Sequence, residues 1–239
     1  MATHRALADI AAEIVARGLP AVFFDTCGAL DVVRCAARGQ PRVAGIVRQF
    51  LDAEAAGELL LVAPSVLPKE AARNRVEVES DTRKRARAVD EAVAAHRRVA
   101  HTLGVPYPYV AQFSHETLVG PLVRLHDRLL AACVYASTEP AIESAALRRG
   151  GDNRRPARKG GGANDCLLFE EFLSIARAAP AANPLVLLTT NADDFGDTRS
   201  PDGVHADLTV DLAGTSALVC LSWDRAAARV LKATRLRLV

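Results

Sequence analysis

No stretch of this 239-residue chain is apolar for long enough to cross a membrane; none reaches the roughly 18 uninterrupted apolar residues of a spanning helix. A signal peptide is equally poorly supported. Asp9 and Glu13 fall where its apolar centre would be, so residues 5–17 read as an amphipathic helix and a cytoplasmic location is the expectation. Cysteine is sparse. Cys27, Cys35, Cys133, Cys166 and Cys220 are odd in number and never form a CxxC pair, which argues against a disulfide framework and a zinc ribbon. Aromatics make up only 5% of the chain, with Tyr107, Tyr109 and Phe113 in one Pro-flanked stretch, so there is little material for base stacking. The net charge is +2, so any attraction to nucleic acid must come from local clustering rather than from the field of the whole protein.

Several catalytic signatures are missing as well. There is no GxSxG, and Gly28 alone does not make a GxGxxG. Gly160-Gly161-Gly162 lacks the following GK[ST] of a phosphate loop. The histidines show no metal-ligand spacing. An aspartyl phosphatase would need a second Asp two positions after Asp25, where Cys27 stands.

Half of the residues are hydrophobic, enough for a sizeable core. They come in short continuous runs: Ala21-Val22-Phe23-Phe24, Leu59-Leu60-Leu61-Val62, Leu185-Val186-Leu187-Leu188 and Ala217-Leu218-Val219-Cys220. Such runs mark strands covered on both faces. Helical patterns fall between and around them, at about 5–17, 40–56, 66–101, 114–136, 163–179 and 223–232. Alternating strands and helices predict a three-layer α/β/α sandwich on a mainly parallel sheet, in a single domain over 1–239. The Gly- and Arg-rich segment 139–162 reads as a long basic loop.

Ligands of parallel α/β sheets bind beyond the carboxyl ends of the strands. Asp25 ends the first run there, and Asn191, Asp193 and Asp194 follow the third. Glu70 opens the helix after the second run, and Asp165 lies in the first turn of the helix after the basic loop. Singly, Asp165 could be a helix cap, Glu70 a surface residue and Asp194 part of a polar turn. Together they deliver carboxylates to one sheet edge, and an oxygen-rich cluster suits Mg²⁺ or Mn²⁺.

The ordered set Phe23-Phe24-Asp25-Thr26-Cys27, Pro64-Ser65-Val66-Leu67-Pro68-Lys69-Glu70, Gly162-Ala163-Asn164-Asp165-Cys166 and Leu188-Thr189-Thr190-Asn191-Ala192-Asp193-Asp194-Phe195 resembles the PIN-domain nucleases. The likeness spans roughly residues 20–225 and is closer to the larger PIN-like proteins than to the short toxin ribonucleases. It implies hydrolysis of phosphodiester bonds, most often in single-stranded RNA, with Mg²⁺ or Mn²⁺. Asp25, Glu70, Asp165 and Asp194 would be the metal ligands and catalytic acids, with Asn191 in support. Thr26, Asn164 and Thr189, inside the matched motifs, are expected as substrate contacts. From the basic segment, Arg154, Arg155, Arg158 and Lys159 are expected to follow the phosphate backbone, as are Arg73, Arg75 and Arg83 to Arg87 more weakly. The resemblance leaves room for an antitoxin-like partner and for a homo-oligomer. A structure-specific DNA nuclease and a non-catalytic PIN-like binding module are the alternatives.

Overall fold

The computed structural model describes residues 4–106, 114–157, 162–180 and 183–234. Among these, six strands form one sheet: β1 (His4–Ala6), β2 (Ala21–Phe24), β3 (Leu60–Ala63), β4 (Val134–Ser137), β5 (Leu185–Leu188) and β6 (Ala217–Cys220). Their order is β1-β4-β3-β2-β5-β6, and every neighbouring pair is parallel. The expected α/β/α sandwich is what the chain forms.

Alternation along the strands explains the continuous apolar runs. Val22, Phe24, Leu61, Ala63, Val186 and Leu188 point into one core with helices α3 (Arg42–Ala55), α5 (Val119–Ala132) and α10 (Trp223–Val230). Trp223 closes that layer, 5.7 Å from Phe24 and 5.9 Å from Phe50 between ring centroids. Ala21, Phe23, Leu60, Val62, Leu185 and Leu187 point the other way, against α1 (Leu7–Arg17), α7 (Ala163–Ala178) and α9 (Ala206–Asp211). With both faces covered, every position of β2, β3 and β5 is buried, and each large side chain contributes about 1.5–3 kcal/mol of transfer free energy. Helix α1 stops where expected: Gly18 takes φ 60° and its N–H closes the last turn on Val15, a conformation that disfavours a side chain.

Four local expectations need correction. Residues 114–136 are not one helix. A 3₁₀ turn at His115–Leu118 leads into α5, and the chain then turns extended as β4, whose alanine-rich approach carries no breaker to mark the change. Strand β1, three residues long, is too short to leave a pattern. Helix α2 (Thr26–Arg34) follows β2 directly, with Asp25 as its N-cap residue. Most of the expected basic loop is helical: Pro140 starts α6 (Pro140–Gly151), where Pro fits the first turn, and the Gly150-Gly151 pair ends it. The long helix α4 (Leu67–Thr102) is close to its predicted bounds. Among the described residues, no helix is long and apolar enough to cross a membrane.

Candidate functional site

The site begins at the C-terminal end of β2. The Asp25 N–H donates to the Leu188 carbonyl at 2.9 Å, which carries the β2–β5 ladder one step past the strands and fixes the residue at the sheet edge. Its side chain is 3% exposed. Burial is the main cause lifting the Asp25 carboxyl to about pKa 6; the Thr189 hydroxyl and the Cys27 and Thr26 N–H groups oppose it, and the charge of Glu70 adds to it.

Glu70 enters from the first turn of α4. Its Oε2 accepts from the Thr26 hydroxyl at 2.6 Å, and its Oε1 accepts from the Asn164 side-chain amide at 2.5 Å. Two other segments thereby hold one carboxylate. Asp165 sits in the first turn of α7, after Gly162 in the left-handed region at φ 94°. Burial chiefly, then the charges of Asp25, Asp194 and Glu70, push it to about pKa 7. Those three fields are all negative, so Asp165 stands within electrostatic reach of the other three acids.

Asp194 lies in the short helix α8 (Ala192–Phe195), capped by Asn191. The Asn191 Nδ2 donates to Asp194 Oδ2 at 2.7 Å, and Asn191 Oδ1 accepts the Asp194 N–H at 3.3 Å. The Asn191 N–H in turn donates to the Thr189 hydroxyl oxygen at 3.1 Å, whose own proton goes to Asp25 at 2.6 Å. A polar chain thus runs from the α8 cap to the β2 end.

These contacts change the part assigned to two residues. Thr189 is fully buried and Thr26 is 3% exposed, so neither reaches a substrate; they orient Asp25 and Glu70 instead. Asn164 is exposed, with its amide on Glu70. Of the basic residues, Arg155 lies beside the acids, its Nη1 donating to the Asp193 carbonyl at 3.1 Å. Arg154 is bound to Asp211 at 2.6 Å, away from a substrate role. Arg158 and Lys159, like Tyr107, Tyr109 and Phe113, lie outside the described residues. Along α4, Arg75 pairs with Asp127, Arg83 with Glu79, Lys84 with Asp81 and Arg87 with Glu116, so intramolecular carboxylates already engage that basic face.

Two supporting groups, Glu171 and Arg149, left no sequence signal. Glu171 of α7 is fully buried and accepts from the Ser65 N–H, the Ser65 hydroxyl and the Thr138 hydroxyl, joining the ends of β3 and β4 beneath the turn that launches Glu70. Arg149, 5% exposed, ties α6 to α7 through Glu170 at 2.6 Å and to α9 through Asp211 at 2.7 Å, with its guanidinium over the Phe169 ring. Cys27 lies next to the acids, and burial with the charges of Asp25 and Asp165 pushes its thiol up to about 12, which rules it out as a thiolate nucleophile at neutral pH.

Among the described residues, no group of three or more His, Cys, Asp and Glu side chains is arranged to hold a metal ion as it stands. Asp25, Glu70 and Asp194 are each turned onto a hydroxyl or amide. The donor set itself suits a hard divalent cation. It consists of carboxylate oxygens, and among the described residues the charges acting on Asp165 are those of Asp25, Asp194 and Glu70. No family model, curated protein or solved structure matches this chain.

Proposed function

We propose that this protein is a nuclease that hydrolyses phosphodiester bonds in single-stranded RNA with Mg²⁺ or Mn²⁺. What supports this reading is that Asp25, Glu70 and Asp194, from three other chain segments near the carboxyl edge of a parallel sheet, all act on the charge of Asp165, which burial and those acids push to about pKa 7. The ordered resemblance of the same segments to PIN-domain nucleases supports RNA as the substrate.

Asp25, Glu70, Asp165 and Asp194 would hold the cation. When bound, it supplies charge neutralisation at the phosphate and makes water acidic enough to attack. The chain's own work is positional: Thr189, Thr26, Asn164 and Asn191 fix the carboxylates through hydrogen bonds. Arg155 brings a guanidinium to the α8 side, where it can meet a phosphate oxygen.

The test is incubation of purified protein with labelled single-stranded RNA, single-stranded DNA and flap DNA, in Mg²⁺, Mn²⁺ or EDTA. RNA cutting that EDTA abolishes, and that Asp25→Asn with Asp165→Asn abolishes, is the expected result. No cutting of any substrate with either metal, or full activity in the double variant, would end the nuclease reading. Flap cutting without RNA cutting would replace it with a structure-specific DNA nuclease.

A further inference from the structure

Beside the acidic site lies a cleft of about 640 Å³ between α8, the turn at residues 196–204 and the start of α10. Ala192 and Asp193 form part of its lining, and Asp194 is the next residue of the same helical turn. The cleft and the carboxylate cluster are therefore adjoining spaces. Its size is that of a site for a ligand rather than for a few waters.

The charges in the cleft differ from those of the cluster. Arg155, Arg199, Arg225 and His205 line it, against Asp193 and Asp197. Asp197 is already answered: Arg199 Nε reaches its Oδ1 at 3.1 Å and Nη2 its Oδ2 at 3.1 Å, which holds the carboxyl down at about pKa 2. The Arg225 Nη1 donates to the Asp202 carbonyl at 2.5 Å, and Arg155 donates to that of Asp193. Among the described residues, neither of these two guanidiniums is in an ion pair. Each is anchored through one N–H by a neutral carbonyl, which fixes its direction and keeps its full charge. A planar guanidinium held this way suits a phosphate oxygen better than a flexible ammonium does.

We infer that the cleft bounded by Arg155, Arg199 and Arg225 seats the sugar–phosphate backbone of single-stranded RNA on the β6 side of the acidic site. Arg225 becomes a phosphate contact, although it lies outside the basic segment that stands out in the sequence. The choice of ligand rests on the nuclease reading of the acids. A strand leaving the carboxylates in this direction meets the Arg155 and Arg225 guanidiniums, whereas on the α4 side Arg75, Arg83 and Arg87 already face carboxylates.

The test is a salt series of fluorescence anisotropy with a short labelled single-stranded RNA in EDTA, for wild type and for Arg225→Gln. Hydrolysis of bis(p-nitrophenyl) phosphate, too small to span both spaces, is followed in Mn²⁺ for the same proteins. The variant is expected to bind about threefold more weakly, with a slope of log K against log salt shallower by about 0.7, one single-strand contact's worth. Its hydrolysis of the small diester should match wild type. Unchanged affinity and slope would overturn the cleft assignment, as would a wild-type protein that binds no RNA. Equal competition by single-stranded DNA would overturn the choice of RNA. If wild type does not hydrolyse the diester in Mn²⁺ yet the slope falls in the variant, the cleft stands and the nuclease reading falls. Arg225 is exposed, so its replacement by Gln leaves the fold in place.

Discussion

Thr189 donates its hydroxyl proton to Asp25 at 2.6 Å across 164 positions of sequence, from the end of the neighbouring strand. This bond opposes the burial that lifts the Asp25 carboxyl. Thr189→Val keeps the shape and removes the donor. The Asp25 carboxyl is then expected to rise further above pKa 6, and divalent-ion binding should require a higher pH than in wild type. Calorimetric titration with Mn²⁺ across a pH series checks this; an unmoved midpoint would sink it.

The pH dependence of stability follows from two lifted carboxyls. Asp25 at about 6 and Asp165 at about 7 both stand above the ordinary value of 3.8. Between 3.8 and those values the native state holds protons that the unfolded chain has released, so stability in EDTA falls as pH rises through that window. For Asp25 the loss is on the order of 3 kcal/mol. Melting temperatures in EDTA should therefore drop from the low to the high end of this window. Asp25→Asn should flatten the drop, and saturating Mn²⁺ should offset it at the alkaline end.

Arg149 stands between Glu170 and Asp211 with little water access. Arg149→Met fits the space yet leaves two nearly buried carboxylates without this cation. A loss of about 3–5 kcal/mol in urea unfolding is expected. Adding Glu170→Gln to the same protein should recover part of it, and no recovery would mean that packing on Phe169 matters more than charge.

Gly196 ends α8 with ordinary extended backbone, and the space beside it is what restricts it. A Cβ there would stand 2.4 Å from the Ala192 carbonyl oxygen, which is part of the turn that presents Asp194. Gly196→Ala is expected to cost about 1–3 kcal/mol by overpacking. It should also weaken Mn²⁺ binding, because the carbonyl can yield only by moving α8. Unaltered melting and unaltered Mn²⁺ affinity would refute this.

The parts of the fold that show in the sequence are those where one physical demand acts on consecutive residues. β2, β3 and β5 are apolar throughout because helices cover both faces, and Asp25 shows because an acid closing such a run needs a reason. β4 is hidden because Val134 and Tyr135 follow the alanines of α5 without a break, and α6 because its two terminal glycines suggest a loop. The acids could be placed at one edge by topology, but their holders could not. Thr26 meets Glu70 across 44 positions and Asn164 meets it across 94, and nothing local to either residue encodes the encounter. Arg149 is hidden for the same reason: its surroundings in sequence are those of a surface arginine, and only the packing of α6 on α7 buries it.

The strand order has a consequence for synthesis of the chain. β2 pairs with β5, so the centre of the sheet stays incomplete until Leu185–Leu188 has been made. A nascent chain shorter than that contains Asp25, Glu70 and Asp165 but lacks Thr189, which orients Asp25, and the α8 turn that supplies Asp194. On the nuclease reading, cutting power is withheld until most of the polypeptide has left the ribosome, so the growing chain poses no hazard to the message being translated.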